Sequence, residues 1–313
     1  MVRALALGIV LALLTAAPAP AWNRPGHMVT GAIAYQVLKN ESEPTIAKVI
    51  ALLKQHPDFK KWDKQADSRK LAGADRDLYV FMMAARWADD ARDNPTFYPP
   101  DLHYDRLHYI NYPYKPAGEP ESVKTTPPGD INIVRGYADK LDVIAGKSAD
   151  ADRAVALCWI FHFVGDVHQP LHAVSRFSAR YPKGDRGGSA CYIRATEKNA
   201  PISLHQFWDD LITGSEGFQT VRNKATELRN RQEFAKDKLT ELAVTEFQQW
   251  AAKESLELAK KYVYLDGKLE GSPKLGAATA LPADYAKTVQ PIAERRAVLA
   301  GYRLAAVLRK QLD

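Results

Sequence analysis

Cysteine is scarce in this chain: among 313 residues there are only Cys158 and Cys191. Two cysteines cannot form the several cross-links of a disulfide-rich scaffold, so another force must hold the fold together. The sequence leaves two alternatives open, one bridge formed in an oxidising compartment or two buried thiols.

Long apolar runs are also missing. The run at residues 4–14 spans only about 11 residues, too short for a bilayer core of roughly 30 Å, and no later run approaches the required length. We therefore expect no membrane anchor. Internal repeats, low-complexity tracts and a Gly/Ser/Pro-rich linker are absent too, which indicates one domain.

The first 21 residues have the pattern of a secretory signal. Arg3 precedes the apolar run, and Ala19-Pro20-Ala21 is a small-x-small cleavage site. Cleavage there would make Trp22 the amino-terminal residue. The sequence thus predicts a signal peptide at residues 1–21, a functional domain at residues 22–313 and a secreted or periplasmic location.

The charge balance is mildly basic. There are 43 Lys and Arg against 37 Asp and Glu, a net charge of +6 that becomes +5 when Arg3 is removed. This balance suits a polyanionic partner, but it is equally ordinary for an exported protein. Charge alone therefore does not decide the function.

Helical periodicity dominates the pattern of apolar residues, and strand-like alternation is scarce. Helices are predicted around Val29, Ile33 and Val37; Ala154, Cys158 and Phe161; Leu239, Leu242, Phe247 and Trp250; and Ala297, Leu299, Leu304, Val307 and Leu308. Two segments, residues 98–130 and 176–203, read instead as long functional loops. The predicted architecture is a single all-α domain with these two loops.

Two histidine–aspartate pairs in the sequence indicate a metal-binding site. His162 and Asp166 are four residues apart, as are His205 and Asp209, and this spacing places each pair on one face of a helix. An imidazole and a carboxylate on adjacent turns can bind one metal ion. His172 follows six residues after Asp166 and is a further candidate ligand. The candidate ligand atoms are all nitrogen or oxygen, which suits zinc without excluding iron or manganese.

A single such pair is more often a structural hydrogen bond, and the prediction of a metal site depends on both pairs occurring together. His168 lies one step off the ligand face of its helix, whereas His56 and His103 have no acidic partner at a useful spacing. We interpret these three as structural or surface histidines.

Five motifs, taken together, resemble the zinc-dependent single-strand nucleases of the S-one and P-one family. They are Trp22-Asn23-Arg24-Pro25-Gly26-His27, Trp87-Ala88-Asp89-Asp90-Ala91-Arg92, Leu107-His108-Tyr109-Ile110-Asn111, His162-Phe163-Val164-Gly165-Asp166-Val167-His168-Gln169-Pro170-Leu171-His172 and Leu204-His205-Gln206-Phe207-Trp208-Asp209. With the similar Gly301-Tyr302-Arg303-Leu304-Ala305, the resemblance covers nearly all of residues 22–313. It implies the all-α fold shared by zinc phospholipase C and the P-one nuclease.

The resemblance implies a cluster of three zinc ions. The first ion would be held by Asp89, His108, His162 and Asp166, and the second by His172, His205 and Asp209. The third would take the free amine and carbonyl of Trp22, together with His27 and the bridging carboxylate of Asp166.

The implied activity is hydrolysis of single-stranded DNA and RNA to 5′-phosphate products, with 3′-nucleotidase activity, by a monomer. Asp89 and Arg92 would be catalytic residues, Arg92 by contacting phosphoryl oxygens through its planar guanidinium. Tyr109 would bind substrate, because an unpaired base can leave its stack and lie on an aromatic ring.

Some positions depart from the family pattern: Ser189 and Ser203 stand where asparagine is usual, and residues 111–130 lack the cysteines of fungal and plant members. These departures suggest a bacterial-type member and put base preference in doubt. Two other interpretations remain, a zinc-dependent phospholipase C and an exported zinc-binding protein without turnover. The phospholipase has Glu where this chain has Asp209, and a non-catalytic protein leaves Arg92 and Tyr109 unexplained.

Overall fold

The computed structural model describes residues 22–92, 94, 97 and 104–313. The predicted signal segment and His103 lie outside the described residues. The α-helices of the described part are α1 (Arg24–Glu41), α2 (Glu43–Leu53), α3 (Phe59–Ser68), α4 (Gly73–Asp90), α5 (Ile133–Ala145), α6 (Asp150–Asp166), α7 (Leu204–Asp209), α8 (Phe218–Asn230), α9 (Phe247–Gln249), α10 (Leu256–Leu258) and α11 (Tyr285–Leu312).

Helix α6 lies at the centre of the structure. All of its residues from 156 to 166 are buried, as in a helix that packs on every side. Its neighbours include α4, α5, α2 and α11, and α1 packs in turn on α4 and α11. Because α6 ends at Asp166, its last turn delivers two polar side chains into this core.

The helices that begin near the candidate ligands are capped by side chains. Asn23 Oδ1 accepts a hydrogen bond from the Gly26 amide at 2.9 Å, which starts α1. Ser203 Oγ accepts from the Gln206 amide at 3.0 Å, which starts α7. Such caps stabilise a helix by about 1 kcal/mol, and here they fix the first turns that carry His27 and His205.

The predicted loops contain short strands. In one, β1 (Tyr112–Tyr114) pairs in parallel with β2 (Val174–Arg176), and Tyr112 lies opposite Val174. In the other, β3 (Tyr192–Arg194) lies between β4 (Ile202–Ser203) and β5 (Thr279–Ala280). The two segments are therefore tied to the body of the protein by backbone pairing, although residues 98–103 lie outside the description.

One helix prediction is wrong at its amino-terminal end. Leu242 lies in the 3-10 turn Thr240–Ala243 and Leu239 directly precedes it, whereas α-helix begins only at Phe247 and continues as π-helix from Trp250. The cause is competition for carbonyl oxygens. Arg295 Nη2 donates to the Lys238 carbonyl at 2.8 Å and Arg303 Nη2 to the Glu241 carbonyl at 2.5 Å, so these oxygens face α11.

The remaining helix predictions are confirmed. Val29, Ile33 and Val37 are buried on α1, and the predicted apolar positions near residues 154–161 and 297–308 lie on α6 and α11. The all-α class is confirmed as well, because the strands of the described part have only two or three residues each. Cys158 and Cys191 are both buried free thiols, the second of the two alternatives. No helix within the described ranges has the length and apolar character needed to cross a bilayer.

Candidate metal centre

The last turn of α6 presents the first two side chains of the site. His162 and Asp166 are one turn apart and fully buried. His162 Nδ1 contacts the Ala85 carbonyl of α4 at 2.9 Å, and its Nε2 lies 3.3 Å from Asp166 Oδ2. The structure thus places this pair on one face, as its spacing predicts.

Asp166 faces imidazoles on two sides. Its Oδ1 lies 3.1 Å from Nε2 of His27 on α1, and its Oδ2 lies 3.2 Å from Nδ1 of His108. Burial raises the pKa of Asp166, but the facing imidazoles outweigh this effect and hold the pKa well below its usual range. The carboxylate is therefore shared between two sets of nitrogen ligands.

Three groups of side chains within the described residues have the composition and spacing of metal sites. Within each group the candidate ligand atoms lie within 4.8 Å of one another, and every member is buried. The groups are Asp89, His108 and His162; His27, His162 and Asp166; and His172, His205 and Asp209. All eight side chains of the predicted ligand set fall into these groups.

The first two groups merge into one cluster, because His162 belongs to both. Its Nε2 lies 2.9 Å from His108 Nδ1 and 3.7 Å from Asp89 Oδ1. The His27 ring stacks on the His162 ring with centroids 3.9 Å apart. Side chains from α1, α4 and α6 and from the 3-10 turn Tyr104–His108 thus converge on one small volume.

The third group is built from the 3-10 turn Pro170–Ala173 and helix α7. His172 Nε2 lies 3.0 Å from His205 Nε2, which lies 3.7 Å from Asp209 Oδ2. Gln169 Nε2 donates to Asp209 Oδ1 at 2.8 Å. Burial raises the pKa of Asp209 well above its usual value and lowers the pKa of His172 to about 3, so burial disfavours the charged form of both side chains.

Backbone carbonyls fix the orientation of three imidazoles. The Nδ1 atoms of His162, His172 and His205 lie 2.9, 2.5 and 2.6 Å from the carbonyls of Ala85, His108 and Gly187. Since a carbonyl only accepts, each Nδ1 carries the proton and each Nε2 presents a lone pair to the cluster. Metal-binding histidines are held in this way.

Several inward-facing polar atoms have no hydrogen-bond partner among the described residues. Both oxygens of Asp89, both oxygens of Asp166 and both nitrogens of His27 are buried and make no well-directed hydrogen bond, although Arg92 and the facing imidazoles lie at ion-pair distance from these carboxylates. Such atoms are costly unless something compensates them. Divalent cations would do so, and the nitrogen and oxygen donors, without thiolate, fit zinc.

Trp22 is fully buried. The next residue, Asn23, is tied to the third group: its amide donates to the Asp209 carbonyl at 3.3 Å, and its Nδ2 donates to Asp210 Oδ1 at 2.8 Å. Gly26 makes room for Trp22, because a Cβ there would lie 2.9 Å from Trp22 Cβ. The predicted amino-terminal ligand is thus close in the fold to His27 and Asp209.

The two predicted substrate-contacting residues line different cavities. Arg92 follows α4, and its Nη2 lies 3.0 Å from Asp89 Oδ1. It lines a cleft of about 450 Å³ together with Asn23, Arg24, Asp89 and Asp210, among others. Tyr109, half-buried and adjacent to His108, lines a separate cavity of about 190 Å³.

Sequence reasoning missed some supporting residues. Gln169 appears in the sequence only as a member of the motif from His162 to His172, and its contact with Asp209 was not predicted. Gly165 carries no signal, yet a Cβ there would lie 2.6 Å from His27 Nδ1. His56 and His168 are buried outside the three groups, and His56 stacks on Trp62 with centroids 4.7 Å apart.

Buried imidazole and carboxylate groups at the ends of helices define a helical protein whose candidate active site could bind metal. The sequence model of the family described as S1/P1 nuclease matches residues 22–313, and the chain belongs to this family.

Three relatives from Arabidopsis thaliana are similar to the chain. Endonuclease 4 is 31% identical over 168 residues, and Endonuclease 3 is 31% identical over 166 residues. Each match covers 50% of this chain and 50% of the relative, so the aligned part spans about half the length of these proteins. Endonuclease 1 is 23% identical over 326 residues, which cover 98% of this chain and 92% of the relative.

Proposed function

We propose that the chain is an exported, zinc-dependent endonuclease. It hydrolyses phosphodiester bonds of single-stranded DNA and RNA to 5′-phosphate products and also acts as a 3′-nucleotidase. The observation that carries the proposal is the position of Asp166, whose two oxygens face different imidazoles and accept no well-directed hydrogen bond from the described residues. Membership of a nuclease family favours this function over a phospholipase C or a non-catalytic zinc-binding protein.

Nine residues would hold three zinc ions. Asp89, His108, His162 and Asp166 would hold the first, His172, His205 and Asp209 the second, and Trp22 and His27, with Asp166 as the bridge, the third. Bound zinc would polarise the phosphate and lower the pKa of a water molecule, chemistry that suits a phosphodiester. The contacts of Asp166 Oδ1 with His27 and of Asp166 Oδ2 with His108 support a carboxylate shared between the first and third ions.

Arg92 would orient the phosphate. Its guanidinium is only 19% exposed and contacts Asp89 at the edge of the cleft, so the positive charge is held next to the cluster. A guanidinium offers two parallel donors that match two phosphoryl oxygens. Pairing with Asp89 would hold the fork in place before substrate arrives.

Tyr109 would select unpaired bases. Its side chain lines a small cavity of about 190 Å³, and the residue directly follows the candidate ligand His108 in the chain. A base that is already unpaired reaches such a ring at little cost, whereas a paired base must first leave its stack. This difference supports a preference for single strands.

Export would complete the site through Trp22. An α-amino group has a pKa of roughly 7.7–8.0 and can lose its proton to a nearby divalent ion, whereas an amide nitrogen in an uncleaved chain cannot bind in this way. The contact of Asn23 with Asp209 supports a location of the new amine beside the cluster. Cleavage after Ala21 would then switch on the enzyme outside the cytoplasm.

The first experiment measures metal content and substrate choice together. Purified chain beginning at Trp22 is analysed for zinc and given denatured DNA, native DNA, RNA, 3′-nucleotides and phosphatidylcholine in parallel. We expect three zinc ions and cleavage of the unpaired polymers and the 3′-nucleotides. A single ion in fully active protein contradicts the trinuclear centre, and preferential hydrolysis of phosphatidylcholine contradicts the nuclease.

The second experiment tests the amino terminus. A variant that retains one extra residue before Trp22, verified by mass spectrometry, is compared with correctly processed Trp22→Phe. The extra residue should remove one zinc ion and most activity, because it converts the amine to an amide, whereas the substituted ring leaves the main-chain ligands intact. Full zinc content and full activity in the extended protein would exclude the amino terminus from the site.

A further inference from the structure

A buried group of charged side chains lies behind the turn that joins Asp166 to His172. This turn contains His168, which is fully buried and belongs to none of the three ligand groups. His168 Nδ1 contacts the Val164 carbonyl at 2.7 Å, and its Nε2 lies 2.8 Å from Arg303 Nη1. Since arginine only donates, Nε2 accepts and Nδ1 carries the proton.

The carbonyls of the same turn are also held by side chains. Ser255 Oγ donates to the Val167 carbonyl at 2.5 Å, and Arg296 Nε donates to the His168 carbonyl at 3.1 Å. With Arg303, three donors from outside the turn thus fix its backbone and its histidine. None of the three donor residues belongs to a ligand group found in the described ranges.

Arg296 and Arg303 share one carboxylate. They are seven residues apart on α11, about two turns, and therefore lie on the same face. Arg296 Nη1 lies 2.5 Å from Glu254 Oε2, and Arg303 Nη2 lies 2.6 Å from Glu254 Oε1. The two arginines are 2% and 3% exposed, so Glu254 is their compensating charge inside the protein.

Glu254 and Ser255 lie in a π-helical segment, Trp250–Ser255. Both residues contact Arg296 although they are neighbours in sequence. π-helical turns are rare and occur frequently at functional sites. Arg303 also lies over the Trp250 ring, 4.6 Å from its centroid, so the segment holds this arginine by two different contacts.

A buried ion network is a poor source of stability, because an apolar replacement of similar volume is often as stable or more so. The network instead holds the turn between Asp166 and His172 in one conformation. The turn it fixes joins Asp166 of the first cluster to His172 of the third group, and Gln169, next to His168, donates to Asp209. A change in the conformation of this turn would change the spacing between side chains proposed to bind different ions.

We propose that Arg296 and Arg303, held by Glu254, are positioning residues for the metal centre. They act through His168 and the carbonyls around it to set the distance from Asp166 to His172. The inference rests on the proposed metal-dependent function. Ligand distances in metal sites are held to within about 0.2 Å, and loss of supporting contacts typically weakens metal binding about 10- to 100-fold.

The test compares Arg303→Lys with Arg295→Lys in the processed protein. Arg295 is the matched control: it lies on the same helix, pairs with Glu241 at 2.6 Å and donates to the Glu233 and Lys238 carbonyls rather than to Glu254 or the turn. Zinc affinity is measured by competition with a chelator, and ligand geometry by the visible spectrum of cobalt-substituted protein. Arg303→Lys should weaken zinc binding about 10- to 100-fold and alter the spectrum, while Arg295→Lys changes neither.

A second pair of variants covers the case in which Arg303→Lys does not fold. His168→Gln retains an acceptor for Arg303 and should keep most of the zinc affinity, whereas His168→Phe removes the acceptor and should lose it. Zinc affinity and cobalt spectra that stay unchanged in Arg303→Lys and His168→Phe, with only the melting temperature lowered, would show a merely structural role and overturn the proposal. If the unaltered protein binds no zinc, the metal centre itself is wrong, and the proposal fails with it.

Discussion

Replacing Gly165 with alanine should disturb metal binding more than it disturbs folding. Gly165 lies in the last turn of α6, directly before Asp166, and the His27 ring packs against it. An alanine Cβ would lie 2.6 Å from His27 Nδ1 and 3.0 Å from its Cε1. The ring has no room to yield toward His162, because the two rings already stack at 3.9 Å.

The size of the effect follows from these distances. Ordinary contact begins near 3.4 Å, so the His27 ring must move by about 0.8 Å, roughly four times the 0.2 Å that metal sites tolerate. Stability changes less, because alanine in a helix gains about 1 kcal/mol over glycine while overpacking costs about 1–3 kcal/mol. We expect a stability loss of at most about 2 kcal/mol and a zinc affinity reduced about 10- to 100-fold.

Zinc content after dialysis and chelator competition would measure this, with chemical denaturation of the metal-free protein as the stability assay. Gly136→Ala is the matched control, because its new Cβ would crowd Leu107 and Phe163 at 3.0 and 3.1 Å but no ligand atom. It should lose stability and keep its zinc affinity. Unchanged zinc affinity in the Gly165→Ala protein would refute the argument that this glycine makes room for His27.

Two further substitutions address substrate contacts. Arg92→Lys should retain zinc but lose turnover, because an ammonium keeps the charge without the two-pronged geometry; loss of zinc in that variant would instead assign Arg92 a structural role through Asp89. Tyr109→Ala should weaken nucleotide binding by roughly 1–3 kcal/mol, measured by product inhibition, with zinc content unchanged. Equal binding in both proteins would place the base elsewhere.

The sequence predicts the parts of the site that depend on local geometry. His162 and Asp166 lie together because one helical turn separates them, and the same holds for His205 and Asp209. The resemblance to a family supplies the more distant members, such as Asp89 and His108, whose approach to His162 depends on packing between α4, α6 and a 3-10 turn.

What could not be predicted depends on contacts between distant segments. The periodicity around Leu239 is compatible with a helix, but arginines from α11 bind the carbonyls that such a helix would use. The role of His168 is hidden for the same reason: its partner Arg303 is 135 residues away. Gly165 is important because it has no Cβ to crowd the His27 ring. The pattern of residue types in the sequence does not reveal this close approach.

The order of the ligands along the chain has a consequence for biosynthesis. Trp22 and His27 emerge from the ribosome first, Asp209 follows much later, and Arg296 and Arg303 come almost last. In a growing chain, the proposed ligands at the amino-terminal end would therefore be made long before the contacts that we propose to orient the others. Bringing such distant ligands together costs conformational entropy, which contacts from every segment must offset. A chain that ends before α11 would therefore bind metal weakly and be more accessible to proteases. Under the proposed function, tight metal binding would therefore require that α11 has been synthesised.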